Sequence, residues 1–291
     1  MPSFFAGKTI LTGEHSVVYG YPAILVGLEL GISVTIKSGH LTVTQQKDQY
    51  LQRILLLFAN FFSISIEKLR TEISLQVESS LPVKSGLGSS AAFAAAVLSE
   101  LAKFYSCDLN KTQLYTLVLE AENFVHGHSS GADPSIVVYG GLLAFKKGEF
   151  KQIQTSTLKN QNFFLIDSGE AIESTGEMVA LVAANPYREK ILQQISFLSQ
   201  EMLGDLEKNR FNPKLLDQNN EFLNQLGVIG KLANKKMQKL RKLNAFCKVT
   251  GAGGIKAGSG YILAFHQNPI EFEKNLKTTG FSFFKTQLGA K

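Results

Sequence analysis

The chain has 291 residues, of which 44% are hydrophobic and 19% are charged, and its formal net charge is +6. This composition is typical of globular proteins and allows one large domain or two ordinary ones. Apolar runs such as residues 54–58 are far too short to cross a bilayer, so we expect no contact with a membrane. The basic residues are scattered, and their densest cluster, residues 231–242, has no accompanying aromatic ladder, so we expect no nucleic-acid partner.

The two cysteines and the start of the chain indicate the compartment. Cys107 and Cys247 are isolated in the sequence, which predicts neither a metal site nor a disulfide framework. The opening residues MPSFFAGKTIL lack the basic leader and the small-residue cleavage site of a signal peptide. We therefore expect a cytoplasmic protein.

Hydrophobic periodicity predicts strands and helices that are mixed along the chain. The first of these are strand structure at residues 23–37, a helix at 50–62 and a strand at 71–78 that leads into a glycine-rich loop. The later elements are an Ala-rich helix (91–102), a helix opened by Asn110, strands (142–145 and Phe163–Asp167), helices between 177 and about 242, strands (Phe246–Val249 and 261–266), and a last short helix and strand. This pattern predicts an α+β protein with sandwich layers. The sequence pattern changes after Asn162, where long helical patterns begin to dominate. This change predicts a domain boundary near residue 155, between domains 1–155 and 156–291.

The segment LPVKSGLGSSAA, residues 81–92, is the strongest local signal. Gly86 and Gly88 permit backbone angles that a side chain blocks, and they directly precede the Ala-rich helix. The unpaired N–H groups and the positive end of the helix dipole favour a phosphate there. The alternative is that Ser89 is only a helix cap and the glycines only a turn. The segment is not a Walker loop, because no Gly-Lys-Ser/Thr closes it.

Two carboxylates downstream are candidates for chemistry. Glu122 lies at the margin of an apolar helix stripe, where a carboxylate needs a cation, a donor or a metal; the alternative is an ordinary surface glutamate. Asp133 precedes Pro134, an arrangement typical of an N-cap followed by proline at the first helical position. Helix capping is therefore the alternative to a catalytic role for Asp133. A further glycine-rich loop follows a predicted strand at residues 251–254.

Four segments in order carry a resemblance to the GHMP small-molecule kinases. They are AGKTILTGEHSVVYGYPA (6–23), LPVKSGLGSSAA (81–92), EAENFVHGHSSGAD (120–133) followed by YGG, and VTGAGG (249–254). Within that family the form GEHSVVYGYPA is most similar to mevalonate kinases, whereas galactokinases usually have an aspartate after GEH. The resemblance implies a two-domain fold whose N-terminal domain is like ribosomal S5 domain 2 and whose C-terminal domain is ferredoxin-like.

The resemblance also implies roles by matched position. Asp133 would take or orient the proton of the attacking hydroxyl, and Lys8 would pair with it. Ser90 and Glu122 would hold Mg²⁺. The nucleotide-binding set would be Lys84, Gly86, Leu87, Gly88, Ser89 and Ser90. The substrate-binding set would be Glu14, His15, Thr175, Gly251 and Ala252.

The activity that this resemblance implies is ATP- and Mg²⁺-dependent phosphorylation of the 5-hydroxyl of mevalonate, a step of isoprenoid synthesis. Two alternative functions stay open: a kinase of phosphomevalonate, homoserine or a sugar, and a catalytically silent ATP-binding sensor. Whether the chain forms a homodimer also stays open. Two departures from the family pattern are visible. Ile255 and Lys256 interrupt the glycine run that begins in VTGAGG (249–254), which corresponds to the family's third motif. We expect Lys256 to face water rather than phosphate. Glu173 stands where many relatives have a basic residue, and it would repel an acidic substrate unless it faces away.

Overall fold

The computed structural model describes residues 2–82, 86–127, 129–158 and 161–290. Within these residues the chain forms two antiparallel sheets covered by helices, which confirms the predicted α+β class. The strands are β1 (Ser3–Thr12), β2 (Ala23–Ser38), β3 (Ile73–Ser79), β4 (Leu142–Lys146), β5 (Glu149–Gln152), β6 (Phe163–Asp167), β7 (Phe246–Val249), β8 (Tyr261–Phe265) and β9 (Phe283–Thr286). The α-helices are α1 (Val43–Lys47), α2 (Gln49–Phe62), α3 (Ile66–Glu72), α4 (Ser89–Phe104), α5 (Lys111–His126), α6 (Ala132–Tyr139), α7 (Thr175–Ala184), α8 (Arg188–Glu207), α9 (Lys214–Gln225), α10 (Lys231–Lys242) and α11 (Pro269–Thr279).

The first sheet is organised around β2, which spans 16 residues. One edge of β2 pairs with β1, with Phe5 opposite Ile32. The other edge pairs first with β4 and then with β3, and β5 extends the sheet beyond β4. The strand structure predicted at residues 23–37 is therefore a single long strand. A short 3-10 helix, Ser16–Tyr19, connects β1 to β2.

Helix α4 packs on β1 and β2 through small side chains. Its alanines at positions 91, 92, 94, 95 and 96 are all fully buried, and their small volume lets the helix lie close to the sheet. The next helix, α5, is capped by Asn110 as predicted, because its side chain accepts a hydrogen bond from the backbone N–H of Gln113 at 3.0 Å. In the part of the chain that the structure describes, no helix combines the length and the apolar character needed to span a bilayer.

The second sheet has the strand order β7-β8-β6-β9, and it is apolar on both faces. Phe164 and Ile166 of β6 face a cluster formed with the C-terminal helices. Phe163 and Leu165, which point to the opposite face, join the core of the first sheet. Helix α8 contributes Leu198, Met202 and Leu206 to that same core. Each predicted domain thus contains one sheet, and a shared apolar core crosses residue 155, where the domain division stays a prediction.

Candidate active site

The four sequence motifs meet at one end of the first sheet. The backbone N–H of Lys8 in β1 donates to the carbonyl of Leu87 in the glycine loop at 2.8 Å. The hydroxyls of Thr9 and Thr250 lie 2.7 Å apart and join β1 to the third motif. Gly86 packs directly against Gly251, since a Cβ added to Gly86 would lie 3.7 Å from the Gly251 Cα. Segments that are far apart in sequence therefore form one compact site.

An ion pair between Lys8 and Asp133 lies at the centre of this arrangement. The Lys8 Nζ is 2.9 Å from Asp133 Oδ1, and the side chains are 5% and 31% exposed, respectively. The ammonium is thus buried, while part of the carboxylate stays open to a ligand. The arrangement offers one negative oxygen group and one positive charge to the same small volume.

Asp133 is not the N-cap that its position before Pro134 suggested. Helix α6 is capped by Gly131, which adopts a left-handed conformation with φ of 82°, and Asp133 lies in the first helical turn. A carboxylate in the first turn also interacts favourably with the helix dipole. Its ion pair with Lys8 gives it a partner outside its own helix, so the capping alternative is wrong.

The glycine loop opens α4 without a side-chain cap among the described residues. Gly88 is the N-cap, with φ of 74° and ψ of 26°, and Ser89 is the first helical residue, so the expectation of Ser89 as a cap is also wrong. Ser89 and Ser90 are half-buried at the helix start. Leu87 is fully buried, and its carbonyl accepts the Lys8 N–H. Lys84, predicted to contact the nucleotide, lies outside the described residues.

Glu122 and Ser90 are brought together by Tyr50, which the sequence indicated only as a helix residue. The Tyr50 hydroxyl donates to Glu122 Oε1 at 2.9 Å and lies 3.2 Å from the Ser90 carbonyl oxygen. Burial, and then the adjacent carboxylate, raise the pKa of Tyr50, so its hydroxyl stays protonated and donates. Glu122 is 1% exposed, which excludes the surface-glutamate alternative.

These two residues fit Mg²⁺ in a specific way. Across the described ranges no group of three or more His, Cys, Asp and Glu side chains could hold a metal ion by itself. A carboxylate from Glu122 and a hydroxyl from Ser90 are ligands that Mg²⁺ accepts when phosphate oxygens and waters complete its shell. The donor set therefore suits a cation that is bound together with a phosphorylated ligand.

Glu14 and His15, which follow β1, are buried and are held by residues of the C-terminal half. The His15 ring Nε2 lies 3.0 Å from the carbonyl oxygen of Ala252 in the third motif. Burial lowers the pKa of His15 to about 4, so the ring is neutral at physiological pH. Glu14 forms a buried ion pair with Lys248 of β7 and accepts a hydrogen bond from the Asn219 amide at 2.9 Å.

The sequence reasoning did not single out Lys248 or Asn219. A lysine inside the apolar strand FCKV was the available signal, because a buried ammonium requires a partner.

Thr175, the remaining predicted substrate residue, is the first residue of α7 and its side chain is exposed. None of the hydrogen bonds within the described residues links it to the other predicted site residues. Two residues earlier, Glu173 Oε1 accepts the backbone N–H groups of Ile255 and Lys256 at 3.2 and 2.9 Å.

Burial alone would raise the pKa of Glu173, but backbone hydrogen bonds and then the Lys256 charge lower it. The Glu173 carboxylate thus binds the backbone of the third-motif loop. Lys256 is exposed, as expected.

Comparison with known proteins gives a consistent result. The family description "GHMP kinases N terminal domain" matches residues 49–141. The mevalonate kinase of Thermococcus gammatolerans is 32% identical over 296 residues, covering 88% of this chain and 87% of that protein. The Methanococcus jannaschii mevalonate kinase has a similar fold, with a TM-score of 0.84 at 23% identity over 99% of this chain and 98% of that one. The structure of the L. major mevalonate kinase in complex with R-mevalonate has a TM-score of 0.81 at 20% identity, and the match covers 100% of this chain and 97% of that one.

The sequence relative covers most of both chains, and the structural neighbours share the fold over nearly their whole length. The motifs that predicted the family lie together at the end of the first sheet, with an acidic residue and a lysine in contact at their centre. The chain therefore belongs to the mevalonate kinase family of the GHMP kinases, which are phosphotransferases with an alcohol group as acceptor.

Proposed function

We propose that this protein transfers the γ-phosphoryl group of ATP to the 5-hydroxyl of mevalonate, with Mg²⁺ bound at the phosphates. The observation that carries the proposal is the Lys8–Asp133 ion pair, at 2.9 Å, beside the glycine loop that opens α4. The choice of mevalonate as the acceptor is supported by relatives named mevalonate kinase, which are about 30% identical over most of the chain. The same proposal places the reaction in isoprenoid synthesis in the cytoplasm.

In this reaction Asp133 acts on the acceptor. Its partly open carboxylate accepts the hydrogen bond of the attacking hydroxyl and orients the oxygen toward the γ-phosphorus. The proton passes to this carboxylate late, as the new P–O bond forms and the bond to the β–γ bridging oxygen breaks. ADP leaves with the electrons of the broken bond.

Lys8 and the glycine loop act on the developing charge. The buried Lys8 ammonium, held by Asp133 while the Lys8 backbone N–H donates to the Leu87 carbonyl, lies where it can stabilise negative charge on the transferred group. The backbone N–H groups in the first turn of α4 would be donors for the ATP phosphates. Glu122 and Ser90 would hold Mg²⁺, which would supply positive charge against the phosphate oxygens. The protein's part is thus mainly alignment and electrostatic stabilisation.

The test is ADP release in a coupled assay with a panel of mevalonate, phosphomevalonate, homoserine and galactose. We expect turnover with mevalonate; turnover only with another alcohol would remove the proposed substrate. A chain that binds ATP without releasing ADP with any of these alcohols would be a silent sensor. Light scattering in the same buffer decides whether the chain is a homodimer.

The variant Asp133→Asn tests the catalytic assignment. We expect kcat to fall by about 10²- to 10⁴-fold, with the apparent affinity for ATP nearly unchanged. Asp205→Asn is the matched control, since Asp205 also pairs with a basic side chain at 2.9 Å and is 21% exposed, but lies at the end of α8. An Asp133→Asn protein as active as the control would contradict the assigned role.

A further inference from the structure

Lys248 is a fully buried lysine that the catalytic assignments leave without a role. It lies in β7, between Cys247 and Val249, which both face the apolar cluster of the C-terminal helices. Because side chains alternate along a strand, Lys248 points to the other face, toward β1. Its side chain is 0% exposed, and its Nζ donates to the Ile10 carbonyl at 2.9 Å and to the Glu14 carboxylate. Burying an ammonium is costly unless it is paired, so this contact has to be made.

Glu14 is held by Lys248 and also by α9. Its Oε1 meets Lys248, and its Oε2 accepts the Asn219 amide at 2.9 Å, so both carboxylate oxygens have fixed partners. The neighbouring Asn220 accepts the backbone N–H of Val249 at 3.0 Å, which ties α9 to the strand that carries Lys248. The orientation of Glu14 is therefore set by elements from the other half of the chain.

The charges around Glu14 form an alternating arrangement. Lys248 faces Glu14 from β7, Lys8 lies close enough to repel Lys248, and Lys8 in turn pairs with Asp133. The other titratable group next to Glu14 is His15, which is neutral. Burial and then the repulsion by Lys8 lower the pKa of Lys248, while Glu14 opposes both effects. Without Lys248, the Glu14 carboxylate would be buried with only the Asn219 amide as a direct partner.

We propose that Lys248 is a positioning residue for the phosphoryl acceptor, because its ammonium holds the Glu14 carboxylate in a fixed orientation at the acceptor end of the site. The inference rests on the proposed function and on the resemblance, which implies that Glu14 is a substrate-binding residue. Lys248 does not touch the reacting atoms itself. Its effect is expected in acceptor binding, and not in the binding of ATP.

The test compares Lys248→Met with the double variant Lys248→Met/Glu14→Gln and with Lys236→Met. The last is the control, because Lys236 also donates to a backbone carbonyl, that of Asp167, at 2.6 Å, but lies on α10 away from the motifs. Thermal unfolding, kcat and both KM values are measured between pH 5.5 and 8.5. Lys248→Met is expected to raise the acceptor KM by about tenfold or more, with the ATP KM unchanged.

The double variant separates positioning from folding. It contains neither buried charge, so it is expected to recover most of the thermal stability that Lys248→Met loses, while its acceptor KM stays high. Recovery of the acceptor KM together with stability would overturn the proposal and leave Lys248 a structural residue. An acceptor KM for Lys248→Met equal to that of Lys236→Met at every pH would also overturn it.

The wild-type protein, assayed alongside, keeps the two proposals apart. If it phosphorylates another alcohol of the panel instead of mevalonate, the proposed substrate fails and the same variants are assayed with that alcohol. If it phosphorylates none of them, the proposed function and the role of Lys248 both fail.

Discussion

Replacing Gly88 by alanine tests whether the glycine loop sets the position of the Lys8 ammonium. Gly88 has φ of +74°, and a Cβ at this position would lie 2.7 Å from Lys8 Cγ. Lys8 is 4% exposed, and it is fixed by Leu87 at its backbone and by Asp133 at its tip, so its stem cannot move aside without moving the ammonium. A displacement of about 1 Å in a catalytic group can lower turnover by about 100-fold, which is the expected loss in kcat.

Gly280→Ala is the matched control for the backbone. Gly280 caps α11 with φ of 70° and ψ of 13°, close to the angles of Gly88, and a Cβ there would meet no atom within 4 Å. Both variants introduce a left-handed alanine, which costs about 1–2 kcal/mol, so both should lower the unfolding temperature by a few degrees. Only Gly88→Ala should lower kcat in the coupled ADP assay. Equal kcat values for the two variants would refute the reasoning, because the strain would then act on stability alone.

Three further predictions concern residues around the site. Tyr50→Phe removes the hydrogen bond to Glu122, so we expect the Mg²⁺ concentration at half-maximal activity to rise by about 10-fold, measured by Mg²⁺ titration of the coupled assay. The folded protein keeps His15 neutral down to a pH of about 4, whereas the unfolded chain binds a proton there below 6.5. The free energy of unfolding should therefore increase by about 3 kcal/mol as the pH is raised from about 4 to 6.5. Denaturant titrations at several pH values check this, and His15→Gln should lack that increment. Glu173→Ala should speed hydrogen exchange at the backbone amides of residues 255–256, and unchanged exchange would show that the carboxylate does not hold this loop.

Much of the fold could be predicted because the signals were local. The cap at Asn110 depends on one side chain, which accepts a hydrogen bond from the N–H three residues later. The apolar stripe that follows in the sequence defines α5. The strand Phe163–Asp167 was predicted from a short apolar run and is observed with the same bounds. The Ala-rich run likewise gave α4, which begins two residues earlier than predicted. In each case the residues that decide the structure are neighbours in sequence.

The helix-capping alternatives for Ser89 and Asp133 were wrong for one physical reason. Serine and aspartate are favourable caps in general, but here Gly88 and Gly131 adopt left-handed backbone angles and become the caps themselves. Sequence shows that a glycine is permissive, and not which angle it takes. Ser89 and Asp133 are thereby moved into the helix, which frees Asp133 to pair with Lys8.

Lys248 could not be placed from sequence because its partner is distant along the chain. The ion pair joins positions that are 234 residues apart, so no local pattern connects them. The motif resemblance supplied Glu14 as a residue at the acceptor end, but it supplied no cation for it. A charged residue in a buried strand can be recognised from sequence, whereas the identity of its counter-charge comes only from the tertiary fold.

The apolar core that crosses residue 155 limits how this enzyme can move. Leu198, Met202 and Leu206 pack into the same cluster as the residues beneath the first sheet. A hinge-like swing of one half away from the other would expose these side chains to water, at a cost of about 1.5–3 kcal/mol for each fully exposed one. Such a swing is therefore unfavourable, and a fragment cut near residue 155 would expose an apolar surface to water and would be prone to aggregation.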